Sequence, residues 1–256
     1  MEAKIRNTIY MLAVVAGTFA ITVIHSACAG SKVPLSQTYD TLRLNPAGNG
    51  PLIELYFVKG KSHNHPLMAV WIEDTSGKYI QTLYVAESIA KGRFGHGDNT
   101  QGKWMPGTLR RPAALPVWSH SRGVIESDSL YIPTPDTPIA DAYTGATPSG
   151  NFLLMTNTDN ALPESYVVKF EINQTWDWNK YWTNNKYPGD EEYKTSCQPS
   201  LVYSALVTAQ NRNEEIPLSL IGHGHYNGSN GTIYPDISTI TTAKNITDRV
   251  AIRVID

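Results

Sequence analysis

The sequence predicts an all-β protein. Short runs rich in β-branched and aromatic residues recur along the chain, and 19 Gly and 16 Pro punctuate them. No helical periodicity extends over four turns. Strands of this length, joined by turn-rich segments, bury their apolar faces best as two facing sheets. The expected fold is therefore an immunoglobulin- or fibronectin-like β-sandwich with long irregular loops.

Three segments are expected in order. Residues 1–27 read as an export signal. Lys4 and Arg6 precede a nearly continuous apolar run from Thr8 to Ile24, and Ser26, Ala27, Cys28, Ala29 and Gly30 follow it. The run is also about the length of a short membrane span, so an uncleaved anchor is the alternative. Two processing readings fit. Ser26-Ala27-Cys28 resembles a bacterial lipoprotein box, with Cys28 lipidated and the protein held at a membrane. Ala27-Cys28-Ala29 instead fits the small-x-small pattern of ordinary signal cleavage. Lipidation is preferred because it gives an exported cysteine a purpose. Either way the expected location is extracytoplasmic: periplasmic, or anchored to the membrane as a lipoprotein. Residues 28–50 are polar and turn-rich and read as a tether, and residues 51–256 form the sandwich domain.

Within the domain, Leu52–Lys59 is the first strand. Leu67–Asp74 and Tyr79–Ala86 flank Ser76-Gly77 and make a β-hairpin. Glu87–Lys91 is a short helix. Residues 87–125 and 126–150 are irregular, and connections this long are either functional or cover a sheet edge. Strands return at 151–156, Tyr166–Asn173, 201–209 and 216–222. Residues 241–246 form a helical turn, and 249–255 close the chain as a strand.

Composition narrows the function. Hydrophobic residues are 41% and charged residues 17%, which excludes wholesale disorder. The formal charge is −2, and loss of Glu2, Lys4 and Arg6 with the signal makes it −3. Such a chain has no electrostatic footprint for nucleic acid. Cys28 and Cys197 are the only cysteines, so no disulfide framework is expected.

The sharpest motif is Asp141-Ala142-Tyr143-Thr144-Gly145-Ala146-Thr147. A threonine hydroxyl follows two small residues, in a segment flanked by Pro138 and Pro148. Such a segment, expected to be an exposed loop, can enter another enzyme's active site, and the oxygens of Asp141 and Thr144 suit a metal or a phosphate-transfer apparatus. The segment resembles the covalent FMN attachment motif Asp-x-x-(Ser/Thr)-Gly-Ala-(Ser/Thr). That motif marks the FMN-bearing subunits of sodium-pumping quinone reductases and related electron-transfer complexes, where a Mg-dependent flavin transferase joins FMN phosphate to the last hydroxyl. The resemblance implies Thr147 as acceptor, with Asp141, Thr144, Gly145 and Ala146 at the other fixed positions. A second likeness spans about residues 50–175. It runs from Ala69-Val70-Trp71-Ile72-Glu73-Asp74 through the motif to Tyr166-Val167-Val168-Lys169-Phe170-Glu171. These segments look like an uncharacterised family of predicted periplasmic proteins, catalogued as a domain of unknown function. Its members look sandwich-like and tend to accompany flavin transferases and membrane electron-transfer proteins.

Other constellations carry less. His63/His65 and His223/His225 have His-x-His spacing, which on a strand puts both rings on one face for a zinc or copper ion. Trp176 and Trp178 lie in an aromatic run with Tyr181 and Trp182 that can stack on a flavin ring or a sugar. There is no Gly-x-Ser-x-Gly elbow, and Ser88-Ile89-Ala90-Lys91 stands alone as a Ser-x-x-Lys match. The leading expectation is an exported electron carrier with FMN on Thr147, relaying electrons from a membrane electron-transfer protein, with no turnover of its own. The alternatives are a carbohydrate-binding or a metal-binding sandwich module.

Overall fold

A computed structural model of the chain describes residues 38–255; the expected export signal, Cys28 and residues 29–37 of the expected tether lie outside the described residues. In chain order the elements are β1 (Asp40–Leu44), β2 (Leu52–Lys59), β3 (Leu67–Asp74), β4 (Tyr79–Ala86), α1 (Glu87–Lys91), β5 (Arg93–Asp98), β6 (Met105–Thr108) and α2 (Pro116–Ser121). They continue as β7 (Thr144–Gly145), β8 (Phe152–Asn157), β9 (Tyr166–Asn173), α3 (Glu191–Ser196), β10 (Leu201–Val207), β11 (Ile216–Pro217), β12 (Ser219–His223) and β13 (Thr247–Ile255). Short 3₁₀ turns occupy Asp141–Tyr143 and Thr242–Asn245. Among the described residues no helix is long and apolar enough to cross a membrane.

The protein is mostly β-structure, in two packed sheets. One has the order β1-β8-β2-β13-β11, the other β12-β10-β9-β3-β4-β7, and β5 and β6 form a separate hairpin. Period-two alternation sends Ile53, Leu55 and Phe57 of β2 inward with Val250, Ile252 and Val254 of β13. They meet Val70 and Ile72 of β3 and Val168, Phe170 and Ile172 of β9. Phe57 stacks on Phe152 at 4.9 Å and reaches Phe170 of the opposite sheet at 6.0 Å. Each such fully buried side chain contributes about 1.5–3 kcal/mol.

The predicted hairpin forms as β3 and β4. Gly77 takes φ 88°, and the Asp74 carboxylate accepts the Ser76 and Lys78 amides at 2.8 and 3.0 Å. That pairing of a positive-φ glycine with a side-chain-capped turn is what makes the reversal so legible.

Three expectations are corrected. The tether does not extend to residue 50, because Asp40–Leu44 pairs in parallel with β8 from Asp40↔Phe152 to Leu44↔Thr156. The stretches expected to be irregular, 87–125 and 126–150, carry α1, the β5–β6 hairpin, α2 and β7, and they cover a sheet face. Ala114, Leu115, Val117, Trp118 and Ile132 bury Ala69, Trp71, Val85 and Val202 on the outer face of the six-stranded sheet. Residues 216–222 are two strands, not one. Ile216 pairs with Ile252 in the first sheet, while Leu220 pairs with Tyr203 in the second.

Candidate functional site

β4 frames the site. Its end pairs in parallel with β7, Val85 with Thr144 and Ala86 with Gly145. The motif is therefore not a wholly exposed loop. Thr144 is buried by this pairing, and a Cβ at Gly145 would lie 2.9 Å from Leu42 Cδ2. Asp141 and Ala146 are exposed, and Thr147 is half-buried. Just upstream, the Tyr143 hydroxyl donates to both Asp159 oxygens at 2.8 Å, which ties the turn to the loop after β8. The Asp141 carboxylate meets Lys91 Nζ at 3.1 Å, and the same ammonium meets Glu87 at 2.8 Å.

Tyr84 supports the motif from the sheet. Its hydroxyl donates to the Gly145 carbonyl at 3.4 Å, and the Thr147 side chain is near enough to act on it electrostatically. Burial pushes this phenol up to about 12, against the opposing effect of the nearby Thr147 side chain, so it stays protonated at neutral pH. Nothing in the strand's sequence distinguishes Tyr84 from a core tyrosine. Its position opposite β7 gives it this second contact.

Thr147 lines a cleft of about 500 Å³. Phe94, Trp104 and Trp176 contribute aromatic rings, and Arg111, His65 and His96 contribute basic groups. Among the described residues that line it there is no carboxylate. A second hollow, of about 400 Å³, is lined by Glu87, Lys91, Arg93 and Ala146. Ser88, Gly95 and Thr147 line both. Thr147 thus stands where an aromatic cleft meets one that carries two cations and one carboxylate.

Trp176 is held at φ 57°, a left-handed conformation that costs a bulky residue of order 1–3 kcal/mol. Its amide donates to the Thr195 carbonyl at 3.1 Å, and Asp177 bridges to Cys197, so the surrounding backbone sets this geometry. The residue stays 57% exposed at the cleft. Trp178 is equally exposed but does not line the cleft.

The histidines do not assemble as a metal set. His63 and His65 lie in the turn between β2 and β3, with His65 at φ 49°, so they do not share a strand face. His63 packs on Phe57 at 5.6 Å, and burial lowers its pKa. His223 ends β12 and stacks on Tyr234 at 5.3 Å, while His225 lies beyond the strand against Tyr226 at 4.4 Å. Among the described residues no group of three or more His, Cys, Asp or Glu side chains is placed to hold a metal ion.

Comparison with protein-family models, curated proteins and solved structures returns no match for this chain.

Proposed function

We propose that the protein is an exported electron-transfer protein that carries FMN covalently on Thr147. The observation that carries this reading is the place of Thr147. The last hydroxyl of an Asp-x-x-Thr-Gly-Ala-Thr sequence lies at the junction of an aromatic cleft and a second hollow with two cations. Phe94, Trp104 and Trp176 suit a flat ring system, and Lys91 and Arg93 suit the phosphoester beside it. A cleft of about 500 Å³ is of the size that binds small cofactors.

Attachment forms a bond between Thr147 Oγ1 and phosphorus. The hydroxyl proton goes to solvent, the phosphoanhydride of a flavin dinucleotide supplied by the transferase breaks, and the nucleoside monophosphate leaves with the anhydride oxygen. FMN, when bound, supplies reversible electron uptake and release, and the chain supplies attachment, orientation and electrostatics. An export signal at 1–27 and a lipid on Cys28 would place the protein outside the cytoplasm, beside a membrane electron-transfer donor. A covalent link there prevents loss of the cofactor by diffusion.

We further propose that the sandwich is of the immunoglobulin/fibronectin-like kind, a reading its strand order supports. β13-β2-β8 faces β4-β3-β9-β10, and each neighbouring pair is antiparallel. This order resembles the A-B-E over C′-C-F-G wiring of that kind, with β13 in the place of the first strand, and it supports the reading.

The test is co-expression with a flavin transferase and Mg²⁺, followed by mass spectrometry of the peptide containing residues 141–147. The wild type is expected to gain a flavin phosphoester there. Thr147→Val keeps the β-branched shape and is expected to abolish the increment, and Thr147→Ser to retain part of it. An unmodified wild-type peptide, under conditions that load a known acceptor, rejects the reading. In that case carbohydrate binding takes first place, because Trp178 and Tyr181 are 57% and 53% exposed on the same loop as Trp176. Glycan binding by the purified chain tests that second reading.

A further inference from the structure

Among the described residues, Arg111 is the one arginine that lines the aromatic cleft. It is half-buried, and its guanidinium carbon sits 4.6 Å from the centroid of Phe94. Its Nε is shielded from solvent and has no hydrogen-bond partner. Among the described residues no carboxylate lies within ion-pair distance of it, unlike Lys91 on the other side of Thr147. The acid it feels electrostatically is Glu192 of α3, whose Oε2 is likewise buried without a partner. Burial depresses the Arg111 pKa, which records the cost of holding this cation away from water. A guanidinium in such a place has no negative charge in contact with it, and among the described residues that line the cleft it faces there is no carboxylate to supply one.

Resting on the FMN reading, we infer that Arg111 sets the reduction potential of the flavin in this cleft by offsetting the negative charge that reduction adds. Two electrons from a reductant and one proton from water leave the cofactor one charge more negative. A cation in a partly desolvated cleft favours that state over the oxidised one, and so raises the potential. Glu192 opposes this effect through its own charge near Arg111. The two residues therefore act with opposite signs. Neither needs to touch Thr147 or the phosphoester, so the attachment step is independent of both.

The experiment uses the FMN-loaded protein, with dithionite as reductant and potentiometric titration at pH 8, as wild type, Arg111→Gln, Arg111→Lys and Glu192→Gln. Flavin load is read for each from the mass of the Thr147 peptide. At equal load Arg111→Gln is expected to shift the oxidised-to-reduced ratio at least tenfold toward oxidised, which is about 30 mV more negative for a two-electron couple. Arg111→Lys is expected to stay near the wild type, and Glu192→Gln to move the midpoint to more positive potential. Equal midpoints in wild type and Arg111→Gln overturn the inference and leave the FMN reading standing. If Arg111→Gln does not accumulate as folded protein, an unmoved midpoint in Glu192→Gln overturns it instead. A wild-type Thr147 peptide without flavin overturns both at once.

Discussion

Glu171 is a carboxylate with no exposed surface, on the outer face of β9. It accepts the Val117 and Trp118 amides at 3.2 and 2.7 Å and the Ser200 hydroxyl at 2.5 Å. It thereby satisfies amides in the first turn of α2 that the helix leaves unpaired. Burial pushes its pKa up to about 7, and those three bonds pull the other way. A folded pKa above the unfolded one means the native state prefers the protonated acid. That contribution is fully present below the ordinary value of 4.5 and is lost as pH rises through about 7. Glu171→Gln is expected to flatten the pH dependence of stability across that window. It is also expected to cost about 1–3 kcal/mol at pH 5, because an amide NH₂ replaces an acceptor facing backbone donors. Urea unfolding between pH 4 and 8 checks both, and an unchanged slope in the variant would assign the titration elsewhere. In the sequence Glu171 reads as a solvent-facing residue of an alternating strand. The layer that buries it comes from residues 114–132, whose path no local pattern reveals.

Among the elements, the β5–β6 hairpin carries Phe94, His96 and Trp104 to the cleft through its strands and connecting loop. It depends on close backbone approach. A Cβ at Gly97 would lie 2.4 Å from the Gly107 carbonyl oxygen, and one at Gly107 would lie 2.9 Å from the Asp98 amide nitrogen. Gly107→Val is expected to force the strands apart and draw Trp104 away from Thr147. The sheets should survive, since Trp104 and Met105 are exposed and absent from both core clusters. Limited proteolysis should cut within 98–105 several-fold faster, while the urea midpoint of global unfolding stays within the error of the wild type. Loss of cooperative unfolding would show instead that the hairpin supports the core. The hairpin escaped the sequence reading because Gly95, Gly97 and Pro106 interrupt any alternation. β1 escaped it for a related reason. Only Leu42 and Leu44 alternate there, among exposed Asp40, Thr41 and Arg43, and an edge strand buries just one such stripe.

At the scale of the whole molecule, β13 closes the fold. It pairs with β2 from Thr247↔Lys59 to Ile255↔Leu52, joining the C-terminal end to the first long strand of the sandwich. A chain ending at residue 246 would lose Val250, Ile252 and Val254 from the core and leave β2 with an open edge. It is expected to show no cooperative urea transition and to aggregate, as followed by circular dichroism and light scattering. A cooperative transition in the truncated chain would show that β2 and β8 hold the first sheet unaided. The sequence by itself determined the all-β class, the hairpin of β3 and β4, five of the long strands to within a few residues, and the motif ending in Thr147. These rest on alternation and turn chemistry, which operate between near neighbours. It also suggested metal pairs at His63/His65 and His223/His225, where spacing alone could not reveal that neither pair shares a strand. Only the tertiary structure decided that Thr147 and Trp176 share a cleft with Arg111 while Trp178 does not, and that residues 114–132 roof the second sheet. Such meetings depend on strand order and on which face each connection crosses. Those follow from burying the whole chain's apolar surface at once, and no short stretch of sequence contains them.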